Sequence, residues 1–265
     1  MSRSGEERDP RGAGDRTRGP GARGGDGGNG TDPGARSADG DGTGTGARGG
    51  TGDPLAAARA AMLETQLRPR GVHDPRVLAA MGAVPREAFV PSYLRDLAYA
   101  DEALPIDHEQ TISQPLMVAL MSELLAPDPG DRVLEVGTGS GYQAAVLAAM
   151  GCRVLGIERI PELAAAARER LEALGYGDAV EVRVGDGSAG APEGAPWARI
   201  LVAAAAPRVP EALTDQLADG GRLVIPVGAR WEQDLVLVER EGGRLRTTNH
   251  GGCVFVPLIG KAGYR

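Results

Sequence analysis

Apolar positions first fall into a helical rhythm at residues 55–67, where Leu55, Ala58, Met62, Leu63 and Leu67 share related faces. Asp53-Pro54 supplies a start signal and Pro69 a stop. Asp74-Pro75 opens a second short helix through Met81, after which Val84-Pro85-Arg86 and Phe89-Val90-Pro91 interrupt the pattern. These pieces predict a small N-terminal helical cap. Pro115 stands where a further helix would begin, and residues 116–125 keep the helical period.

Beyond Asp128-Pro129-Gly130-Asp131 the pattern becomes a regular exchange. Strands are predicted at 132–136, 153–157, 180–184 and 200–204, with helices at 142–150, 161–174 and 211–217. That rhythm predicts an α/β fold built on an open, doubly wound, mostly parallel sheet. From Gly221 the chain turns β-rich, with strands predicted at 222–227, 234–239, 244–248 and 254–258, so an antiparallel C-terminal addition is expected.

Composition divides the chain before it classifies it. Residues 1–52 contain no Leu, Ile, Val, Phe, Tyr or Trp and hold 18 of the 41 glycines. Such a stretch has no apolar surface to offset the entropy of ordering, and a disordered tail is expected. Its eight arginines and eight acids cancel, so the formal charge of -7 belongs to residues 53–265. Roughly 213 residues remain, enough for one well-buried domain. Its divisions are expected at 53–112 (helical cap and substrate loop), 113–228 (cofactor-binding core) and 229–265 (β-rich part).

An acidic body argues against nucleic acid or an anionic membrane as partner. The arginine-glycine triplets at 23–25 and 48–50 lack the net charge and the stacking aromatics that would bind RNA. No apolar run is long enough to span a bilayer, and no apolar segment follows the N-terminal arginines as a secretory signal requires. Cys152 and Cys253 have no metal-ligand spacing, no metal site is expected, and both read as small buried hydrophobes. A cytoplasmic monomer is the expectation.

The strongest chemical signal is the run from Val133 to Tyr142, Val-Leu-Glu-Val-Gly-Thr-Gly-Ser-Gly-Tyr, a strand that enters glycines and then a helix. Glycines let the backbone turn tightly and let a ligand approach, and the helix start offers free N–H groups to an anion. A dinucleotide fingerprint would need glycine where Tyr142 stands, so the spacing favours a ligand with a smaller anion than pyrophosphate. Glu158 ends the next strand, placed to accept from both hydroxyls of a ribose. Asp186, in Gly185-Asp186-Gly187 past the third strand, is placed to accept the exocyclic amine of adenine. Each signal alone is weak, but three on successive strand ends of one rim are harder to produce by chance.

At this point the residues resemble a family. The glycine loop with Glu135, Glu158 and Gly185-Asp186-Gly187 resembles class I methyltransferases that use S-adenosylmethionine. Gln110-Thr111-Ile112-Ser113-Gln114-Pro115 narrows the resemblance to the protein-L-isoaspartate O-methyltransferase family. Val84-Pro85-Arg86, Phe89-Val90, Ala103-Leu104-Pro105-Ile106, Glu158-Arg159 and Phe255-Val256-Pro257-Leu258 extend it over essentially everything after Leu55. The resemblance implies a Rossmann-like fold and an S-adenosylmethionine site formed by Glu135, Gly137, Thr138, Gly139, Ser140, Gly141, Glu158, Asp186 and Gly187. It implies that Thr111, Ile112 and Ser113 meet the substrate, with Ser113 the active-site serine. The implied reaction methylates the free carboxylate of L-isoaspartyl residues in damaged proteins and peptides, leading to a succinimide and partial return to aspartate.

That chemistry suits a chain with no visible Ser-His-Asp set or metal cluster. A substrate carboxylate has a pKa of about 4 and is already ionised near pH 7, so no general base is required. Departures from the family pattern are Asp107, His108 and Glu109 where glycines are common, Ala198 in place of a usual aspartate and Ala203 in place of a frequent threonine. The two acids are expected to point to solvent or to pair with Arg95 or another base. Read without the family, Ser113 is a helix cap, His108 an exposed loop residue, and Trp197 and Trp231 packing residues, with Trp197 close enough to the adenine side to line a pocket. Two other functions stand beside repair: an aspartyl methyltransferase of peptide maturation, and a cofactor-binding relative that turns over weakly.

Overall fold

The computed structural model describes residues 53–264, and the tail expected to be disordered lies outside the described residues. Asp53 caps helix α1 (Pro54–Met62) by accepting from the Leu55 N–H at 3.0 Å. The helix widens through Leu63–Leu67, and a 3-10 turn at Arg68–Arg70 ends it at the left-handed Gly71. Pro69 therefore sits inside the closing 3-10 turn, and the helical run ends two residues later than its position implied, at Gly71. Asp74 caps α2 (Pro75–Ala83) in the same manner. Glu123, on α3 (Pro115–Leu125), accepts the His73 and Asp74 N–H groups that precede that cap, which locks the cap onto the main body.

A two-stranded hairpin, β1 (Leu104–Pro105) and β2 (Thr111–Ile112), leads from the cap into α3. The central sheet then forms from β3 (Arg132–Val136), β4 (Arg153–Glu158), β5 (Val180–Val184), β6 (Trp197–Val202), β7 (Leu217–Ala229), β8 (Glu232–Glu241) and β9 (Arg244–Cys253). Their spatial order is β5-β4-β3-β6-β7-β8-β9, with the first five parallel and the last two antiparallel. Helices α4 (Tyr142–Ala149), α5 (Pro161–Ala173) and α6 (Glu211–Asp215) make the crossovers.

Alternate residues of each inner strand enter two separate apolar cores. Val133, Val154, Val182 and Leu201 join the core that holds the cap, α3 and α4, whereas Leu134, Leu155, Ile157 and Ile200 join the core beneath α6 and Leu258. Burial on both faces is why β3, β4 and β6 read as largely apolar runs, whereas the edge strand β5 alternates. The chain leaves β3 toward β4 and β5, then returns to β6 on the other side and proceeds to β7. The connections after β3 and β6 consequently diverge, and a crevice opens at the carboxyl ends of those two strands.

Three predicted elements need correction. β6 begins at Trp197 and ends at Val202, since Trp197 already pairs with Leu217 of β7; residues 203–206 turn away at the crevice. Helix α6 ends at Asp215 because Leu217 is taken up by β7. Residues 254–258 form no ladder strand. Pro257 has no N–H to give, and the segment meets the sheet through an isolated bridge at Ala205, whose N–H donates to Val256 O at 2.8 Å and whose carbonyl accepts from the Leu258 N–H at 2.7 Å.

Both tryptophan readings change in part. Trp197 is 2% exposed at the amino end of β6, far along the strand from the crevice, with its indole N–H on Ala191 O at 3.0 Å and the Arg132 guanidinium stacked 4.6 Å from its ring. It packs, and lines no adenine pocket. Trp231 is 81% exposed in the turn between β7 and β8 and does not pack.

Candidate active site

After β3 the chain enters its glycine loop. Gly137 N–H donates to Ile157 O at 2.8 Å, and Gly139 (φ 53°) and Gly141 (φ 92°) adopt the left-handed conformation that side chains resist. Gly141 then becomes the residue before α4, and no side chain caps that helix start. Glu158, at the end of β4, lines the crevice with Gly137 and Gly139. Its two oxygens accept from the Gly139 N–H and the Ile160 N–H, each at 2.9 Å. Each oxygen keeps a lone pair, so the fixed carboxylate presents two acceptors to a diol.

Glu135 lies beneath the loop with no exposed surface, and neither of its oxygens has a hydrogen-bond partner among the described residues. Its cross-strand neighbour is Gly156, where a Cβ would collide with the Thr138 hydroxyl that rests beside the Glu135 carboxyl. Burial pushes the Glu135 pKa up to about 8; Thr138 acts against the rise and the Glu158 charge adds to it. The acid is thus largely neutral at pH 7 in the ligand-free protein.

Asp186 stands just past β5 as expected, but its side chain is turned to other partners. Gly187 lines the crevice, whereas the Asp186 carboxylate accepts from the Ser188 N–H and hydroxyl at 3.0 and 2.6 Å and from the Lys261 N–H at 2.8 Å. Burial works to raise its pKa, yet these Ser188 and Lys261 contacts hold it below the ordinary value. It clamps the C-terminal segment over the loop that follows β5. That segment supplies Val256, Pro257, Leu258 and Ile259 to the crevice wall, which sequence reasoning missed because it took 254–258 for a strand. The proline in that apolar run was the available signal.

The hairpin forms the other wall. Ile106 N–H donates to Gln110 O, and His108 (φ 59°) and Glu109 (φ 58°) are both left-handed, which makes Asp107–Gln110 a type I′ turn. Thr111 and Ala203 border both the crevice and an adjoining groove of about 300 Å³. Ser113 lies half-buried at the same junction, bordering the groove and the inner end of the glycine loop. It does not cap α3: the cap position belongs to Gln114, and no side chain hydrogen-bonds there. Ile112 is buried behind it as part of the apolar floor. Asp107 and Glu109 are exposed, and Asp107 faces Arg170, not Arg95. Cys152 is buried as expected, and Cys253 is half-buried at the edge of the groove.

The doubly wound parallel sheet with its antiparallel end, the glycine loop after β3 and the acid at the end of β4 fit a class I methyltransferase. A family model described as protein-L-isoaspartate(D-aspartate) O-methyltransferase matches residues 58–263, and the chain belongs to that family. The protein-L-isoaspartate O-methyltransferase of Methanoregula boonei is 56% identical over 212 residues, 80% of this chain and 97% of the relative. A solved protein-L-isoaspartate O-methyltransferase shares 32% identity with a TM-score of 0.70, covering 77% of this chain and 67% of its own. A Plasmodium falciparum relative solved in complex with S-adenosyl-L-homocysteine shares 27% identity with a TM-score of 0.66, covering 76% of this chain and 98% of its own.

Proposed function

We propose that the protein transfers a methyl group from S-adenosyl-L-methionine to the free carboxylate of L-isoaspartyl residues in damaged proteins and peptides. Membership of the family supports the reaction class. The observation that carries the reading is the Ser113 hydroxyl, between the glycine loop and an open groove and without a protein partner among the described residues. The crevice fits the cofactor: Gly137 and Gly139 leave its floor without side chains, Glu158 offers paired acceptors to ribose hydroxyls, and the orphaned Glu135 carboxyl lies close beneath the loop.

When bound, the cofactor supplies a methyl group on a positively charged sulfur. Ser113 donates a hydrogen bond to the isoaspartyl carboxylate and fixes one oxygen toward the crevice, while Thr111 and Ala203 set the width of the passage. The nucleophile arrives ionised, so the chain contributes alignment and partial exclusion of water and moves no proton. The methyl ester is a better electrophile than the acid, and the following backbone nitrogen closes on it, expelling methanol, to give a succinimide that hydrolyses in part to aspartate. We assign cap and substrate loop to 53–112, cofactor core to 113–228 and the β-rich part to the remainder.

The enzyme acts as a monomer, in keeping with the charged outer strand β9, whose Arg244 and Arg246 discourage edge pairing. We place it in the cytoplasm, in keeping with two free cysteines. No described helix is long and apolar enough to cross a membrane. Ser113→Ala is expected to lower kcat by roughly tenfold or more, the size of a lost positioning hydrogen bond to a charged group, while the Kd for S-adenosylhomocysteine stays within about twofold. Steady-state kinetics with calorimetric titration separates the two, and equal loss of both contradicts the positioning role.

A further inference from the structure

Arg170, on α5, meets three parts of the molecule that are distant in sequence. Its Nη1 donates to Ser140 O in the glycine loop at 2.6 Å. Its guanidinium lies 5.9 Å from the ring centre of Phe89, which belongs to the cap. Its third neighbour is Asp107 of the hairpin turn, across a cavity of about 80 Å³ that Phe89, Ile106 and Ser140 also line.

These contacts pin the loop. The Gly141 N–H already donates to Thr138 O at 2.9 Å, so the Arg170 bond to Ser140 O fixes the other end of the same peptide plane. The hairpin also rests on the loop directly, since a Cβ built on Gly139 would meet the Ile106 side chain at 3.8 Å. Burial lowers the Arg170 pKa, and the charges of Asp107 and Glu169 act against that fall. Among the described residues no carboxylate lies within ion-pair distance of Arg170, so Asp107 is the hairpin charge available to it. Asp107 stands where the family commonly has glycine, which makes this pairing a feature of the present chain.

We propose that Arg170 and Asp107 form a positioning pair that links the cofactor loop to the substrate hairpin, so that filling the crevice tightens peptide binding in the neighbouring groove. This rests on the functional reading above. A ligand in the crevice fixes the glycine loop; the loop fixes the guanidinium through Ser140 O; the guanidinium attracts Asp107 across the cavity. The turn that carries Asp107 then sets Thr111 and Ser113 at the passage. Coupling between two sites is commonly about fivefold or more in affinity, and the lower end is expected for a pair separated by a small cavity.

The test is calorimetric titration of an isoaspartyl peptide into the full chain, with and without saturating S-adenosylhomocysteine, for wild type, Asp107→Asn, Arg170→Ala, Arg170→Lys and the double variant Asp107→Asn/Arg170→Ala. The expected wild-type ratio of peptide Kd values is about fivefold. Asp107→Asn and Arg170→Ala each bring the ratio close to one, the double variant goes no further, and Arg170→Lys retains part of it. Asp107 is exposed on a turn, so its variant reads the coupling even if the Arg170 variants fold poorly. A wild-type ratio near one, or a ratio that Asp107→Asn leaves unchanged, overturns the proposal. Wild-type protein that binds neither ligand overturns the functional reading instead.

Discussion

Among the residues, Glu135 carries the least compensated burial. A wholly buried carboxyl without a partner stays protonated well above the usual carboxylate range, and here burial raises its pKa to about 8. A raised acid binds more protons in the folded state than in the unfolded one, so its contribution to stability is complete below about pH 4.5 and is lost as pH rises toward 8. Glu135→Gln keeps the shape and removes the charge. In ligand-free protein the variant should therefore melt above wild type at pH 8–9, by roughly 2–4 °C for each kcal/mol relieved, with the gap closing toward pH 5. Melting curves across that range check it, and a gap that widens at low pH contradicts the assignment. Glu158 was legible in the sequence because an acid at the end of a short apolar strand has one place to go. The engagement of Asp186 was not, because its partner is the N–H of Lys261, supplied by a segment whose course over the crevice no local pattern reveals.

At the scale of elements, the β1–β2 hairpin shows how a departure from the family pattern is accommodated. A type I′ turn requires positive φ at both central positions, which suits Asn-Gly and strains His108 and Glu109. Replacing His108-Glu109 by Asn-Gly is expected to stabilise the protein by about 1 kcal/mol and raise Tm by roughly 2–4 °C. An unchanged or lowered Tm in differential scanning calorimetry would show that other contacts hold the turn. The strands at 132–136 and 180–184 were legible to the residue, the first as an apolar run between turn signals and the second because buried Val180 and Val182 alternate with Glu181 and Arg183. The start of β6 was not, because Ala198 and Arg199 interrupt its apolar run while its backbone still pairs. Residues 254–258 have strand composition but meet the sheet only through an isolated bridge at Ala205, and they line the crevice.

For the whole molecule, function follows from where the topology reverses. The divergence of β3 and β6 opens a crevice lined by the glycine loop, Glu158 and the C-terminal segment, beside a groove bordered by Thr111 and Ser113; under the proposed function the first takes the cofactor and the second the substrate. Fold class and cofactor side were readable because they depend on short contiguous patterns. The substrate side joins segments more than a hundred residues apart, and only the resemblance of residues 110–115 to a family pointed to it. The central claim is selectivity for the isoaspartyl linkage, and the most direct measurement is transfer of labelled methyl from S-adenosylmethionine to a short isoaspartyl peptide beside its normal aspartyl twin. The account predicts labelling of the isoaspartyl peptide alone; labelling of the aspartyl twin, or of neither peptide while the cofactor binds normally, would contradict it.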